Sequence, residues 1–597
     1  MNFLSRATQL RMRRIVRRRQ KQMEAAAEAA EKSLDTNFIG RFDKLLKVRR
    51  FVVGWLVLVV LATACTIVQA ISLGRYYQTA QPAPGGIYNE GVVGTYSNAN
   101  PIFATGSVDI AVSRLVFAGL LKYDDTNRLV GDLAASYTAD STGRHYVVTL
   151  RPGLTWQDGQ PLTAKDVAFT YRLIQNPDVQ SPLFTAWQGI EVATPNNQTV
   201  TFDLPNAYSA FPYSLLTGVL PEHILASVPA AQMRSERFNT VKPVGAGPFA
   251  WSAIEVSNST DPDRMVSLIA LKPFQKYHAG APKLSGFVLH AFGSKQAMVD
   301  AFHNRDINAM AGLTSVPETL TNARDVKVTS FGSTAAVMTF FRTTNNVLSN
   351  TPVRKALVQS ANTETILRSL GYTTRPVKEP LLIGQLGYDP AYTQLPFNTA
   401  AAKAALDADG WMRGSDGVRS KNGLRLSFRL YAEDTPENRR TSDILVRDWR
   451  AIGAETIPVL QSLTDFQTTL QSHSYDVLLY GISIGVDPDV YPYWDSNQAD
   501  IRSSTRLNFS EYTSKAADAA LEAGRTRTDP ALRAIKYKPF LQAWQADAPA
   551  LGLYQPRFLY ITRGPVYGLP SRTLNTDVDR YDSVADWQIH TVKVTNS

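Results

Sequence analysis

The sequence predicts a mixed α/β protein with room for two lobes, preceded by one transmembrane helix. Three observations predict it. Short strand patterns alternate with capped amphipathic helices over residues 87–597, without an internal repeat. The 597 residues are 44% hydrophobic and 19% charged, a globular composition with enough chain for two cores. Phe51–Gly74 runs for 24 residues without a charge, and it is the one such stretch.

The first 50 residues carry 14 Lys+Arg against 5 Asp+Glu, so +9 of the net +10 sits there and the body is nearly neutral. That argues against a nucleic-acid-binding body. The strong helix formers and charge block of Arg6–Lys32 read as a topology signal and solvated helix, or as a surface drawn to anionic inner-leaflet lipid. As a helix, Phe51–Gly74 spans roughly 36 Å, enough for a hydrocarbon core of about 30 Å. Arg41, Lys44, Lys47, Arg49 and Arg50 precede it, so the N-terminus is expected in the cytoplasm and residues 75–597 outside. A lipoprotein signal ending at Cys65 is the rival reading. It fits less well, because Ala62 replaces the usual Leu and apolar sequence continues past the cysteine. Arg75–Gly86 reads as a short flexible stalk. The single cysteine excludes an intrachain disulfide framework.

In the body, Tyr146–Leu150 and Thr199–Leu204 read as strands. Thr163 and Asp166 make a capping box for a helix carrying Val167, Phe169 and Tyr171. Thr351–Pro352 opens a helix expected to close on Gly371, and Thr399–Asp409 a further one ending at Gly410. Asp529–Pro530 opens another, which Pro539 is expected to kink or divide.

Leu150–Val167 (LRPGLTWQDGQPLTAKDV) and Val244–Phe249 (VGAGPF) are the most distinctive segments. With Leu115–Tyr123, Arg354–Ala361, Lys403–Trp411, Asp487–Tyr491 and Ala548–Tyr554 in order, the chain resembles the extracytoplasmic solute-binding proteins of the peptide/nickel type, family 5, which serve ABC importers. The resemblance covers about residues 84–570. It implies a two-lobed periplasmic-binding-protein-like fold of type II with an extra subdomain. Lobe 1 is expected at 84–333 plus 553–597, with the subdomain at about 120–245, and lobe 2 at 334–552.

The motif residues themselves read as turns. Asp158 and Gly159 suit a tight turn, and Gly245, Gly247 and Pro248 suit backbone geometry; a P-loop would need a lysine and a following helix. What the resemblance implies about the ligand lies elsewhere. In peptide-binding relatives an extended ligand is held through backbone hydrogen bonds between the lobes. The matching strands here are Thr105, Gly106 and Ser107 in lobe 1, and Gly481, Ile482, Ser483, Ile484 and Gly485 in lobe 2. Relatives that bind the peptide amine place an aspartate three residues before the Asp/Glu-Pro pair. Here Ile484 stands there, leaving Asp487, Asp489 or Asp495 as substitutes. Asp487–Trp494 resembles a subgroup with a Trp-x-Ser-x-Gln continuation, here Trp494, Ser496 and Gln498; Trp494 either lines a side-chain pocket or belongs to the core.

The seven histidines are scattered, with no pair at metal-ligand spacing, and no catalytic motif stands out. The expected function is therefore binding without covalent chemistry, with no metal and no cofactor. The chain reads as a monomeric, membrane-anchored component of an ABC importer. It would capture an extracellular oligopeptide or dipeptide and deliver it to a separate permease and ATPase. The alternative is an extracytoplasmic sensor signalling through a cytoplasmic partner.

Overall fold

A computed structural model describes residues 6–34, 49–257, 261–500, 502–503 and 506–595. The chain divides into two compact units, Met1–Gln81 with Thr591–Ser597, and Pro82–His590.

In the first unit, helices run over Arg6–Leu34 and Arg49–Tyr77. Phe51–Ser72 has a mean hydropathy of 2.6, is long and apolar enough to cross a membrane, and is not buried against protein. Thr63 and Thr66 donate their hydroxyls to the carbonyls of Val59 and Ala62, at 2.8 and 2.7 Å. The helix thus satisfies these polar groups itself, as a hydrocarbon environment requires. Cys65 is exposed within the same helix. The basic residues Arg41, Lys44 and Lys47 lie outside the described residues. The flexible-stalk expectation is corrected: Gln78–Ala83 is a strand, paired with His590–Thr595. Its partner comes from the far end of the chain, so local composition gives no sign of it.

The second unit is two-lobed. A seven-stranded sheet has the order Val326–Gly332, Arg557–Arg563, Ala309–Leu313, Ile87–Val93, Gly286–Phe292, Val266–Pro273, Phe249–Val256. Its central strand, Ile87–Val93, runs parallel to both neighbours; the remaining pairs are antiparallel. A five-stranded sheet has the order Glu455–Gln461, Ser427–Glu433, Val477–Ser483, Ala335–Phe341, Ala550–Tyr554. Along Ala335–Phe341 the side chains alternate between two cores, Val337 and Phe341 in one, Ala336, Met338 and Phe340 in the other. A strand covered on both faces reads as this continuous apolar run. The chain crosses between the sheets twice, at 333–334 and 555–556, and Ser333 N–H donates to the Pro556 carbonyl at 3.2 Å. A four-stranded antiparallel sheet, Ala134–Ala139, His145–Leu150, Thr199–Asp203, Glu191–Asn196, sits within the first lobe's sequence.

The Thr163–Asp166 capping box is present, opening Ala164–Gln175. One helix expectation is corrected and one is narrowed. The helix after residue 350 is two helices, Thr351–Ser360 and Thr363–Ser369, because Asn362 caps a second start; Asn350 rather than Thr351 caps the first. Pro539 does not divide Pro530–Asp547. The carbonyl it leaves without a donor belongs to Ile535, on the exposed face, where water can replace the missing bond.

Trp156–Gly159 is a turn, with Gly159 at φ +93° and the Gln160 N–H donating to the Asp158 carboxylate at 3.0 Å. Gln157 fastens it to the glycine-rich segment, accepting from Gly245 N–H at 2.9 Å and donating to the carbonyls of Val116 and Phe249 at 2.9 and 2.8 Å. A Cβ on Gly245 would fall 2.0 Å from the Val116 carbonyl oxygen, so glycine is required by close backbone approach.

Candidate functional site

Val477–Ser483 is the element that builds the second lobe's contribution. It pairs along its whole length with Ala335–Phe341, Val477 opposite Phe341 and Ser483 opposite Ala335. On its other edge, Ser427–Glu433 pairs only with Val477 and Leu478. The strand therefore presents an open edge from Gly481 to Ser483. The N–H groups of Ile484 and Gly485 both donate to the Thr334 carbonyl at 3.0 Å, toward the paired side. By strand alternation, Gly481 and Ser483 turn their N–H and C=O groups toward the open side. The Ser483 carbonyl already accepts the Tyr493 hydroxyl at 2.7 Å, and Gly481 and Ser483 are exposed. Ile482 and Ile484 point the other way, 2% and 7% exposed in the second-lobe core.

Beside the end of this strand lies a cavity of about 830 Å³. Both crossings line it, through Ser333, Thr334, Gln555 and Pro556, with Gly485–Pro488 and 382–386 from the second lobe and Asn127, Tyr213 and Thr573 from the first. That volume is in the usual range for a small-ligand pocket. Gln385 holds the wall by donating to the Gly485 carbonyl at 2.7 Å. Thr334 donates its hydroxyl to Asn575 at 2.8 Å, tying the strand end to the first lobe.

Asp487 lines this cavity but is already engaged. Arg533 grips both its oxygens, at 2.6 and 2.7 Å, and also donates to the Gly524 carbonyl at 3.1 Å. The aspartate holds the Arg533 guanidinium pKa above its ordinary value, against the opposing effect of burial. Asp489 pairs with Arg525 at 3.0 Å, and burial raises its pKa. Asp495 caps Ser496–Ala499, accepting from Asn497 N–H at 2.9 Å. Each of the three carboxylates named as a substitute amine ligand thus has a partner.

Trp494 is fully buried, its ring centroid 6.0 Å from Trp544 and 5.7 Å from Phe340. It is a core tryptophan, not a lining residue of the cavity, because these rings enclose it completely. The first-lobe segment is corrected too. Thr105 and Gly106 form no strand; they lead into the helix Ser107–Val116, with Gly106 as its N-cap residue. Asp109 fixes that start by accepting from the N–H groups of Ser97 and Asn98 at 2.8 and 3.0 Å. Thr105, Gly106 and Ser107 are exposed and do not line the cavity that Gly485 and Asp487 share. Their neighbour Ala104 lines a separate first-lobe cavity of about 440 Å³ with Ile110, Tyr123 and Asn575.

Sequence reasoning missed the cavity's cationic wall: Arg375, Arg533 and Arg557 stand against the single carboxylate Asp487. The available signal was position, since Arg557 follows the second crossing directly, but Arg375 has no local motif. Among the described residues no cluster of His, Cys, Asp and Glu is arranged to hold a metal ion.

The family model of bacterial extracellular solute-binding proteins, family 5 (middle), matches residues 128–503. The oligopeptide-binding protein AppA of Bacillus subtilis is 24% identical over 511 residues, 84% of this chain and 92% of that protein. Protein XP55 of Streptomyces lividans is 25% identical over 503 residues, covering 81% and 88%. Among solved structures, NikZ from Campylobacter jejuni in complex with Ni(L-His) superposes with a TM-score of 0.72 at 23% identity, covering 84% of this chain and 99% of that one. AppA from Bacillus subtilis in complex with a nonapeptide gives 0.68 at 22% identity, covering 85% and 100%. These superpositions show a shared fold.

Proposed function

The chain belongs to the bacterial extracellular solute-binding proteins, family 5, and from that premise we propose that it captures peptide between its two lobes and hands it to an ABC permease and ATPase. The observation that carries this reading is the open edge from Gly481 to Ser483 beside the interlobe cavity. An extended peptide adds to such an edge through backbone hydrogen bonds that ignore its side chains. Gly481 leaves room for close approach, and Ile482 and Ile484 anchor the strand from behind. Thr105, Gly106 and Ser107 offer exposed backbone on the first-lobe side. The peptide assignment is further supported by the oligopeptide-binding relative. The helix Arg49–Tyr77 serves as an uncleaved anchor that keeps the receptor at the membrane. Binding drives closure only through tighter contact with the closed form.

The test is mass spectrometry of material carried by the detergent-solubilised full chain, followed by calorimetry with any peptide found. A backbone N-methyl scan of that peptide should weaken binding at alternate positions. Capture of a sugar in place of peptide, or an N-methyl scan without alternation, would overturn the reading.

A further inference from the structure

Arg6–Leu34 is one unbroken helix, and residues 10–33 are exposed along its whole length. Its charge changes sign along the axis. Arg11–Lys21 holds six arginines and one lysine without a carboxylate, whereas Glu24, Glu28 and Glu31 follow in the second half. At 3.6 residues per turn, Met12, Ile15, Val16 and Met23 fall within an arc of about 100°, together with Ala26 and Ala30. The four larger side chains are 58–71% exposed. Arg11, Arg13, Arg14, Arg17, Arg18 and Lys21 lie outside that arc, and Arg19 alone interrupts it. The long Arg19 stem lets its guanidinium reach back toward the charged side. A topology signal requires cations alone, counted within about 15–20 residues of a span. Arg41, Lys44, Lys47, Arg49 and Arg50 supply that signal, whereas Lys21 stands 30 residues before Phe51. A solvated helix requires no apolar stripe. A helix lying in a membrane interface requires both faces, one basic and one apolar. The helix also belongs to the same compact unit as the apolar span Phe51–Ser72, which brings a lipid surface within reach.

We propose that the Arg11–Met23 half of this helix lies on the anionic surface of the membrane that Phe51–Ser72 crosses. Met12, Ile15, Val16 and Met23 enter the boundary with the acyl chains, and the flanking cations meet the lipid phosphates. This rests on the anchor reading above and goes beyond it. The same surface repels Glu24, Glu28 and Glu31, so the helix tilts off the lipid beyond Met23. A single span leaves the chain free to turn about the membrane normal. A surface helix joined to that span restrains the turning and makes the attachment sensitive to lipid charge.

Nanodiscs that each hold one full-length chain test it, made of phosphatidylcholine alone or with added phosphatidylglycerol. A fluorophore is attached at Ile15→Cys, or at Leu10→Cys among the cations, in a chain carrying Cys65→Ser, since Cys65 is exposed. Both disc types contain a doxyl-labelled quenching lipid. The Ile15 probe should be quenched in the phosphatidylglycerol discs and not in the neutral ones, and the Leu10 probe in neither. One cation near an anionic surface is worth roughly fivefold, so Arg13→Gln, Arg14→Gln and Arg17→Gln together should lower the ratio of seated to free helix by about a hundredfold. Equal quenching in both disc types, no quenching in either, or an unchanged ratio in the triple variant overturns the proposal. Discs present the same lipid on both faces, so this result is independent of which side the N-terminus occupies in cells. If the chain does not enter discs, the anchor reading fails by itself, and vesicle flotation judges the helix. Flotation of the full chain with phosphatidylglycerol vesicles but not with phosphatidylcholine ones, lost in the triple variant, supports the contact. Equal behaviour with both vesicles overturns it.

Discussion

The carbonyl of Arg525, in the second lobe, accepts hydrogen bonds from both the N–H and the hydroxyl of Ser209 in the first, at 2.9 and 3.0 Å. The same arginine lies over Tyr208 and Tyr491, 4.9 and 4.1 Å from their ring centres, and pairs with Asp489 at 3.0 Å. One residue therefore gathers two cation–π contacts, an ion pair and two hydrogen bonds where the lobes meet.

Removing the Tyr208 ring takes away about 0.5–2 kcal/mol of that contact. Lobe opening would separate Tyr208 from Arg525, so Tyr208→Ala should weaken apparent ligand affinity by several-fold without altering the cavity wall. Titration calorimetry checks the affinity, and small-angle scattering should find a larger radius of gyration at equal ligand. Unchanged affinity would assign the contact no part in closure.

Asp487 and Arg533 are a buried, doubly hydrogen-bonded pair. Arg533→Gln leaves the aspartate without its counter-charge and should cost about 3–5 kcal/mol in denaturant unfolding. The double replacement Asp487→Leu with Arg533→Met should cost less than that single change, since no lone charge remains buried. A double variant less stable than Arg533→Gln would contradict this account.

Glu379 is fully buried with Oε2 unpartnered, and burial pushes its pKa up to about 8. The fold therefore holds this proton to higher pH than the unfolded chain, where a glutamate titrates near about 4.3. Its stabilising effect is complete below that lower value and lost as pH rises through about 8. Thermal melts from about pH 5 to about pH 9 should show the wild type falling relative to Glu379→Gln across the window. Parallel curves would place the titration elsewhere.

With Ile484 facing the core, Asp487 gripped by Arg533, and Asp489 and Asp495 absent from the cavity lining, none of these positions offers an unpaired carboxylate to a peptide amine in the cavity. N-acetylating a bound peptide should therefore cost less than tenfold in affinity, below the worth of a charged hydrogen bond. Calorimetry with free and acetylated forms decides it, and a loss above a hundredfold would return attention to those three aspartates.

Topology is tested on intact cells. Protease added outside should remove the body while Arg6–Leu34 stays protected, as expected for an anchor with its N-terminus inside. A protected body in protease-accessible cells rejects this orientation, and lipid labelling that depends on Cys65 would favour the lipoprotein reading.

Local sequence chemistry determined what depends on nearest neighbours along the chain. The Thr163–Asp166 box, the turn at Gly159 and the apolar span Phe51–Ser72 are all decided within a few residues, by capping, permitted φ and hydropathy. The family resemblance supplied the two-lobed architecture. Tertiary structure decided which groups are available to a ligand. Ile484 and Trp494 turn inward because strand alternation and ring packing leave them no other space. Thr105–Ser107 lead into a helix because Asp109 binds the backbone of Ser97 and Asn98. Asp487 is neutralised by an arginine 46 positions later, and the Arg375 carbonyl meets the Gln555 N–H only where the chain crosses between lobes. Charge pairing and exposure are properties of the packed molecule, set by contacts between distant segments, and no local pattern encodes them.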